Sequence, residues 1–293
     1  MRKFILVITS FFILMSVQAQ DAQKLANDLK GYARTDTVQG WKHSGISSIA
    51  FGQTSLQNWV AGGNNTVSGD FVFNASLNYL NDKFFWDNNL LLEYGLVYSS
   101  ATDWMKAADK MNLTSVAGRK ISQTWSVSAL LNFYTQFAKG YNYPDKSRYI
   151  STFMAPGYLD AALGFSYKPN GNYSLFLSPV SERAIFVLDD SLSNVGAFGV
   201  DPGKKTKFKT GAYLLANMNQ TITPDLSLIS TLDLFTPYTE DFGNIDVNWN
   251  IFLSYKINKL LTASLNTTIR YYDKEIHKIQ FKEILGLGLT YKF

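Results

Sequence analysis

"IDVNWNIFLSYKI" (Ile245–Ile257) decides the fold. Its odd positions are Ile245, Val247, Trp249, Ile251, Leu253, Tyr255 and Ile257; its even positions are Asp246, Asn248, Asn250, Phe252, Ser254 and Lys256. A period of two sends successive side chains to opposite faces of a strand, so this strand divides an apolar environment from a polar one. At 13 residues it exceeds the soluble mean of about 5–6. It is long enough to cross a bilayer at a tilt, which takes about 9–11.

The pattern recurs in both directions along the chain. Leu261, Ala263, Leu265, Thr267, Ile269 and Tyr271 alternate with Thr262, Ser264, Asn266, Thr268, Arg270 and Tyr272. Upstream, Trp125, Val127, Ala129, Leu131 and Phe133 alternate with Ser126, Ser128, Asn132 and Tyr134. Twelve such segments are predicted: 45–54, 67–80, 84–98, 110–120, 124–138, 157–168, 172–188, 208–222, 226–235, 245–257, 261–272 and 279–293. A soluble β-sandwich also alternates, but its polar face is usually charged. Here that face is mostly Ser, Thr, Asn and Gly.

Joint length separates the two architectures. Short joints, "NDK" (Asn81–Lys83), "ISQ" (Ile121–Gln123), "PNG" (Pro169–Gly171), "TPD" (Thr223–Asp225) and "NKL" (Asn258–Leu260), follow the even segments, and longer ones follow the odd segments. Pro, Asn, Asp and Gly supply the turn chemistry. Short turns on one side and long loops on the other are the pattern of a transmembrane antiparallel β-barrel. The expected fold is therefore all-β, a barrel of about 12 strands with short periplasmic turns and longer extracellular loops. Aromatic residues bunch at both segment ends, among them Tyr79, Trp86, Trp125 and Tyr255 near the short turns and Tyr98, Phe137 and Tyr271 near the long loops. Interfacial girdles have that distribution.

The N-terminus reads as an address. Arg2 and Lys3 precede "FILVITSFFILM" (Phe4–Met15), and Val17 and Ala19 provide small residues for cleavage after Ala19. The apolar core is too short to span a bilayer as a helix, so residues 1–19 are expected to be a signal peptide. Residues 20–44 then form a periplasmic N-terminal segment, and 45–293 form the barrel. Without the signal peptide the chain carries 25 basic and 23 acidic residues, a net of +2, which makes no case for nucleic acid. Cysteine is absent, so a secreted chain must hold by packing and hydrogen bonds.

The terminal "LGLGLTYKF" resembles the closing strand of bacterial outer-membrane barrels. More widely, the chain resembles a Bacteroidota family of uncharacterised outer-membrane proteins, a domain of unknown function. The stretches that carry this are Gly40–Asn65, "TQFAKGYNYPD" (Thr135–Asp145), "GAFGV" (Gly196–Val200), "NIDVNWN" (Asn244–Asn250) and "FKEILGLGLTYKF" (Phe281–Phe293). The resemblance implies a Gram-negative outer membrane, with insertion by machinery that reads the final strand and its Phe293. It implies no activity.

Chemistry is sparse. A catalytic His needs a nucleophile and an orienting partner. His43 and His277 lack the His-x-Ser spacing of barrel-borne lipid hydrolases and read as pre-barrel and loop residues, so no enzyme is expected. No His/Cys cluster suggests a metal, and no cofactor is expected. Loop acids at Asp189–Asp190 and Thr239–Asp241 suit either a hard cation or water. "KKTKFK" (Lys204–Lys209) suits either water or lipopolysaccharide phosphate.

The better candidates face inward: Asp70, Asp87, Glu93, Asp160, Asp233, Lys256 and Arg270. Charge in a lumen must be hydrated or paired, so these residues form either a bracing network or an ion pathway. On the loop side the candidates are Trp59, Gly62, Gly63, Asn64, Tyr141 and Tyr143. Two functions remain: a pore or transport barrel for small polar solutes, or a structural barrel that binds partners in an envelope assembly. Either one sits among outer-membrane lipid and lipopolysaccharide.

Overall fold

The computed structural model describes residues 39–57, 64–239, 243–258, 261–275 and 277–292. Fourteen strands run along them. The first five are β1 (Gly40–Thr54), β2 (Thr66–Asn81), β3 (Phe84–Ser99), β4 (Asp103–Lys120) and β5 (Trp125–Thr135). A loop hairpin follows, β6 (Gly140–Tyr141) with β7 (Tyr149–Ser151). Then come β8 (Gly157–Asn170), β9 (Tyr173–Phe186), β10 (Thr206–Thr223), β11 (Leu226–Pro237), β12 (Asp246–Lys256), β13 (Leu261–Tyr271) and β14 (Gln280–Lys292). One helical turn, α1 (Asp190–Ser193), lies between β9 and β10.

Apart from the hairpin, the strands close into one antiparallel barrel of twelve, each paired with its sequence neighbour and β14 with β1. Closure satisfies the backbone groups that an open edge would leave bare. The expected all-β antiparallel barrel is therefore the observed architecture.

The register fixes which residues share the lumen. Asn132, Asp160, Arg183 and Lys209 are direct partners across β5, β8, β9 and β10. Asp233, Asn248, Arg270 and Gln280 are partners across β11 to β14. The opposite parity faces out and is apolar: Leu163 is 66% exposed and Leu285 78%, whereas inward Asp160 is 2% exposed. Outward aromatics cluster at the short-turn end, with Trp41 5.0 Å from Tyr79 and Trp125 4.8 Å from Tyr167 between ring centres. At the other end Tyr98 lies 5.4 Å from Trp104.

Several boundaries differ from the sequence reading. β1 starts at Gly40, so His43 is an outward wall residue of a strand and lies on no pre-barrel segment. β4 starts at Asp103, and the expected long loop over 99–109 is a turn at Ser100–Thr102. Alternation is weak there because the register shifts between Gly95 and Leu96 opposite β4, putting an irregularity inside the strand.

β9 carries the shift with the largest consequence. Gly211 pairs with Ser181 but Tyr213 with Ser178, and Leu163 pairs with Val180 but Phe165 with Leu177. One extra β9 residue is therefore accommodated around Pro179, which lacks the ladder N–H. The Ser178 hydroxyl lies 2.7 Å from the Leu163 carbonyl and accepts the Val180 N–H at 3.2 Å. Even residues of β9 face inward below this bulge and odd residues above it.

The closing seam is short. Among the described residues, β1 and β14 share register from Ile46↔Lys292 to Phe51↔Leu287, six pairs, against fifteen between β1 and β2. On the outward wall, polar groups satisfy each other. The Trp86 indole N–H donates to Ser115 Oγ (2.8 Å), which donates to Asn88 Oδ1 (2.8 Å). Trp249 donates likewise to Ser230 (2.8 Å). In an apolar surrounding an unmet donor costs several kcal/mol.

Candidate functional site

The lumen encloses a cavity of about 190 Å3. Its walls come from β2 to β5, β8 and β10 to β13, with Asn172 from the β8–β9 turn and Tyr272 just past β13, and ten of its 25 lining residues are asparagine. The amides chain along the wall. Asn89 Nδ2 donates to Asn74 Oδ1 (2.9 Å), Asn112 Nδ2 to Asn132 Oδ1 (2.8 Å), and Asn250 Nδ2 to Asn248 Oδ1 (3.2 Å). Thr231 donates to Asn217 Oδ1 (2.9 Å) and Thr268 to Asn250 Oδ1 (3.1 Å). Cross-strand neighbours on one face are close enough for such pairs.

Above the cavity, toward the long loops, sits Arg183, 1% exposed. Its Nε and NH2 donate to the two carboxylate oxygens of Asp160 at 2.6 and 3.1 Å. Its NH1 donates to Asp246 Oδ2 at 3.0 Å, and Asp233 Oδ1 lies 3.6 Å away. The guanidinium stacks 4.3 Å from the Phe235 ring centre, and Tyr213 donates its hydroxyl to Asp233. One buried cation thus holds three carboxylates, as charge in a low-dielectric interior requires.

Arg270 forms a second layer. It stacks 4.1 Å from the Tyr272 ring centre, donates to Glu275, and reaches Tyr134 Oη at 3.3 Å. Tyr158 donates to Glu275 Oε1 at 2.7 Å. Because Glu275 belongs to the β13–β14 loop, this layer ties a loop down into the barrel mouth.

Two more loops join it. Ala155, Val187, Leu192, Val200 and Tyr272 pack with Tyr158 and Ile185 as one apolar cluster. Leu188 N–H donates to the Met154 carbonyl (3.0 Å), and Tyr149 donates to Asp189 Oδ2 (2.9 Å). Gly199 sits so close to Lys274 that a Cβ there would lie 2.6 Å from Lys274 Cβ. The loops over 152–156, 187–205 and 272–275 therefore form a packed lid. Within it, burial pushes the Tyr272 phenol well up. The Ser191 hydroxyl, with the Leu192 N–H, holds the Asp189 carboxyl below its usual range. Burial alone would raise Asp273, but hydrogen bonds from Tyr271 and His277 bring it net below the usual range.

On the β2–β9 side, toward the short turns, Leu80, Phe85, Val116, Leu130 and Phe176 pack together, in a cluster that continues through Leu215 beside the cavity to Phe235 under Arg183. Lys168 Nζ pairs with Asp87 at 2.9 Å and lies 4.6 Å from the Phe85 ring centre. Along β12 to β14 the described inward positions are half-buried, Ser254 excepted.

The sequence candidates fall into groups. Glu93, Asp160 and Asp233 line the cavity. Glu93 meets Lys282 at 3.4 Å. Arg270 sits in the roof, and Asp70 lies on β2 against Gly95, where a Cβ would collide with its carboxylate. Asp87 lies below the cavity, and Lys256 lies at the short-turn end of β12. Tyr141 and Tyr143 lie with tilted rings 5.9 Å apart in the β5–β8 loop, where Tyr143 Oη accepts the Lys106 N–H at 3.0 Å. Asn64 is exposed just before β2, and Asn65 Oδ1 accepts the Leu56 N–H at 2.6 Å. Trp59, Gly62, Gly63 and Phe293 lie outside the described residues, as does Asp241.

Two expectations change. Lys209 is buried on the inward face of β10 and cannot meet lipopolysaccharide. Asp189 caps α1, and Asp190 pairs with Lys205 at 2.7 Å. His277 lies in the β13–β14 loop, where it pairs with Asp273 at 3.1 Å. Among the described residues, no group of three or more His, Cys, Asp or Glu is placed to hold a metal.

The chain is similar in structure to an outer membrane channel from Pseudomonas putida F1, with a TM-score of 0.41 and 14% identity over 88% of this chain and 96% of that one. It is similar to the translocator domain of the autotransporter NalP from Neisseria meningitidis, with a TM-score of 0.41 and 8% identity over 92% and 94% of the two chains. It is similar to outer membrane phospholipase A from Escherichia coli, with a TM-score of 0.37 and 11% identity over 90% and 96%. No curated protein matches the sequence. The model of a family described as Protein of unknown function (DUF3078) matches residues 51–141, from the end of β1 into β6.

Proposed function

We propose that this protein is an outer-membrane barrel of a Gram-negative bacterium that takes small polar solutes into its lumen and passes them when the loop lid opens. The apolar outward face with aromatic ends supports the membrane setting, since only a closed barrel or a helix satisfies its backbone in hydrocarbon. The observation that carries the transport reading is a cavity lined by ten asparagines beneath a charged roof, reaching Asn172 in the β8–β9 short turn. A barrel braced only for rigidity gains nothing from keeping that space polar.

The loops that close the roof hold by side-chain packing and hydrogen bonds to one another and to the barrel mouth, whereas the wall holds by continuous ladders. Opening therefore requires loop rearrangement and leaves the barrel intact, as in other gated sites. The reading contains no catalytic step. Purified protein in a planar bilayer is expected to show little steady current. Replacing 188–204 with a short turn is expected to open it, and a lid-deleted barrel that stays silent ends the transport reading.

A second reading has its own support. Arg183 braces β8, β11 and β12 from β9, which suits a rigid platform for envelope partners. A mild-detergent pull-down that returns only the barrel would count against it.

A further inference from the structure

The cavity wall selects a class of solute. The carboxylates in its lining are already matched by cations, and its one lysine lies against an amide oxygen and a ring. Asp160 and Asp233 face Arg183, Glu93 faces Lys282, and Lys110 Nζ lies 3.5 Å from Asn250 Oδ1 and 5.9 Å from the Tyr134 ring centre. A cation entering there would meet no unspent carboxylate, an anion would meet Lys110 alone among the carboxylates of Glu93, Asp160 and Asp233, and either would lose its hydration, which is expensive away from water.

The amides are different. Asn132 Oδ1 accepts from both Asn112 and Thr114, while its Nδ2 has no partner among the described residues. Asn266 lines the cavity with neither amide atom bonded to a described residue. Each such group offers a donor, an acceptor or both. Hydroxyls present the same pairing of donor and acceptor. Tyr134, Tyr158, Tyr272 and Phe252 add ring faces and edges beside these amides, suited to the C–H faces of a ring that carries hydroxyls.

We propose that the cavity is a binding site for a neutral polyhydroxylated solute of monosaccharide size. This inference rests on the transport reading and narrows it.

The test uses the full chain, purified in detergent and in proteoliposomes, with D-glucose, D-gluconate and D-glucosamine as probes. Titration calorimetry is expected to show glucose binding at least about tenfold more tightly than either charged analogue. Asn132→Leu or Asn266→Leu is expected to weaken glucose about tenfold, the equivalent of one to two hydrogen bonds. Heat-modifiable migration on a gel confirms that each variant is folded, and Ser122→Ala, in an exposed turn outside the lumen, leaves binding unchanged. Liposome swelling supplies the second arm. Swelling in gluconate or glucosamine equal to that in glucose, or equal binding of the three, overturns the solute class and leaves the transport reading standing. The absence of any swelling in lid-deleted protein, together with no binding, overturns both.

Discussion

Arg183 on β9 and Asp160 on β8 are direct register partners joined by two hydrogen bonds, at 2.6 and 3.1 Å, in a site where both are almost fully buried. Arg183→Met would leave Asp160, Asp233 and Asp246 without their shared cation. Removing one member of a buried pair costs about 3–5 kcal/mol. The expected result is a lower urea midpoint for barrel unfolding, read by heat-modifiable migration, with Arg183→Lys intermediate because it keeps charge but loses the fork.

Much of this was legible and some was not. Alternation placed Asp87, Glu93, Asp160 and Asp233 in the lumen because their strands keep regular parity from the short turn upward. Arg183 escaped because the bulge at Pro179 reverses parity within β9. The one available signal was a proline inside an otherwise regular strand. Glu275 escaped for another reason: its role depends on a loop folding back over Arg270 and Tyr158, and period-two reasoning ends where the strand ends. The asparagines were visible singly, but their convergence on one cavity needed the register.

The outward wall gives a second prediction. Ser115→Ala would leave the Trp86 indole N–H without its acceptor in an apolar surrounding. The expected cost is about 1–3 kcal/mol. Ala117→Ser, two residues along the same face, tests whether an added hydroxyl alone has any effect, and is expected to cost less.

The seam gives a third. The chain has no cysteine, so introduced pairs report cleanly. Ile49 and Leu289 are register partners, whereas Gln53 and Leu285 lie beyond the paired stretch. Ile49→Cys with Leu289→Cys is expected to form a disulfide under mild oxidation, and Gln53→Cys with Leu285→Cys is not. Mass spectrometry of oxidised protein decides between them.

The lid gives a fourth, in pH. The Asp189 and Asp273 carboxyls sit below their usual range when folded. Such groups stabilise above the unfolded value of about 3.9, and that contribution is lost as pH falls through the lower folded value. Protease cleavage within 189–205 is therefore expected to stay constant from neutral pH to about 5 and to rise only below about 4. An acid-stable protease reads this, and Asp189→Asn should raise cleavage at neutral pH and flatten the profile.

Reagent access to the cavity tests the central claim most directly. Asn266 lines the cavity on β13, and Asn266→Cys places the chain's one thiol there. With the lid intact, labelling by a small charged methanethiosulfonate from the loop side is predicted to be slow, and removing 188–204 is predicted to speed it at least about a hundredfold, as expected when local opening no longer limits access. Equal rates with and without the lid would contradict a lumen closed by its loops.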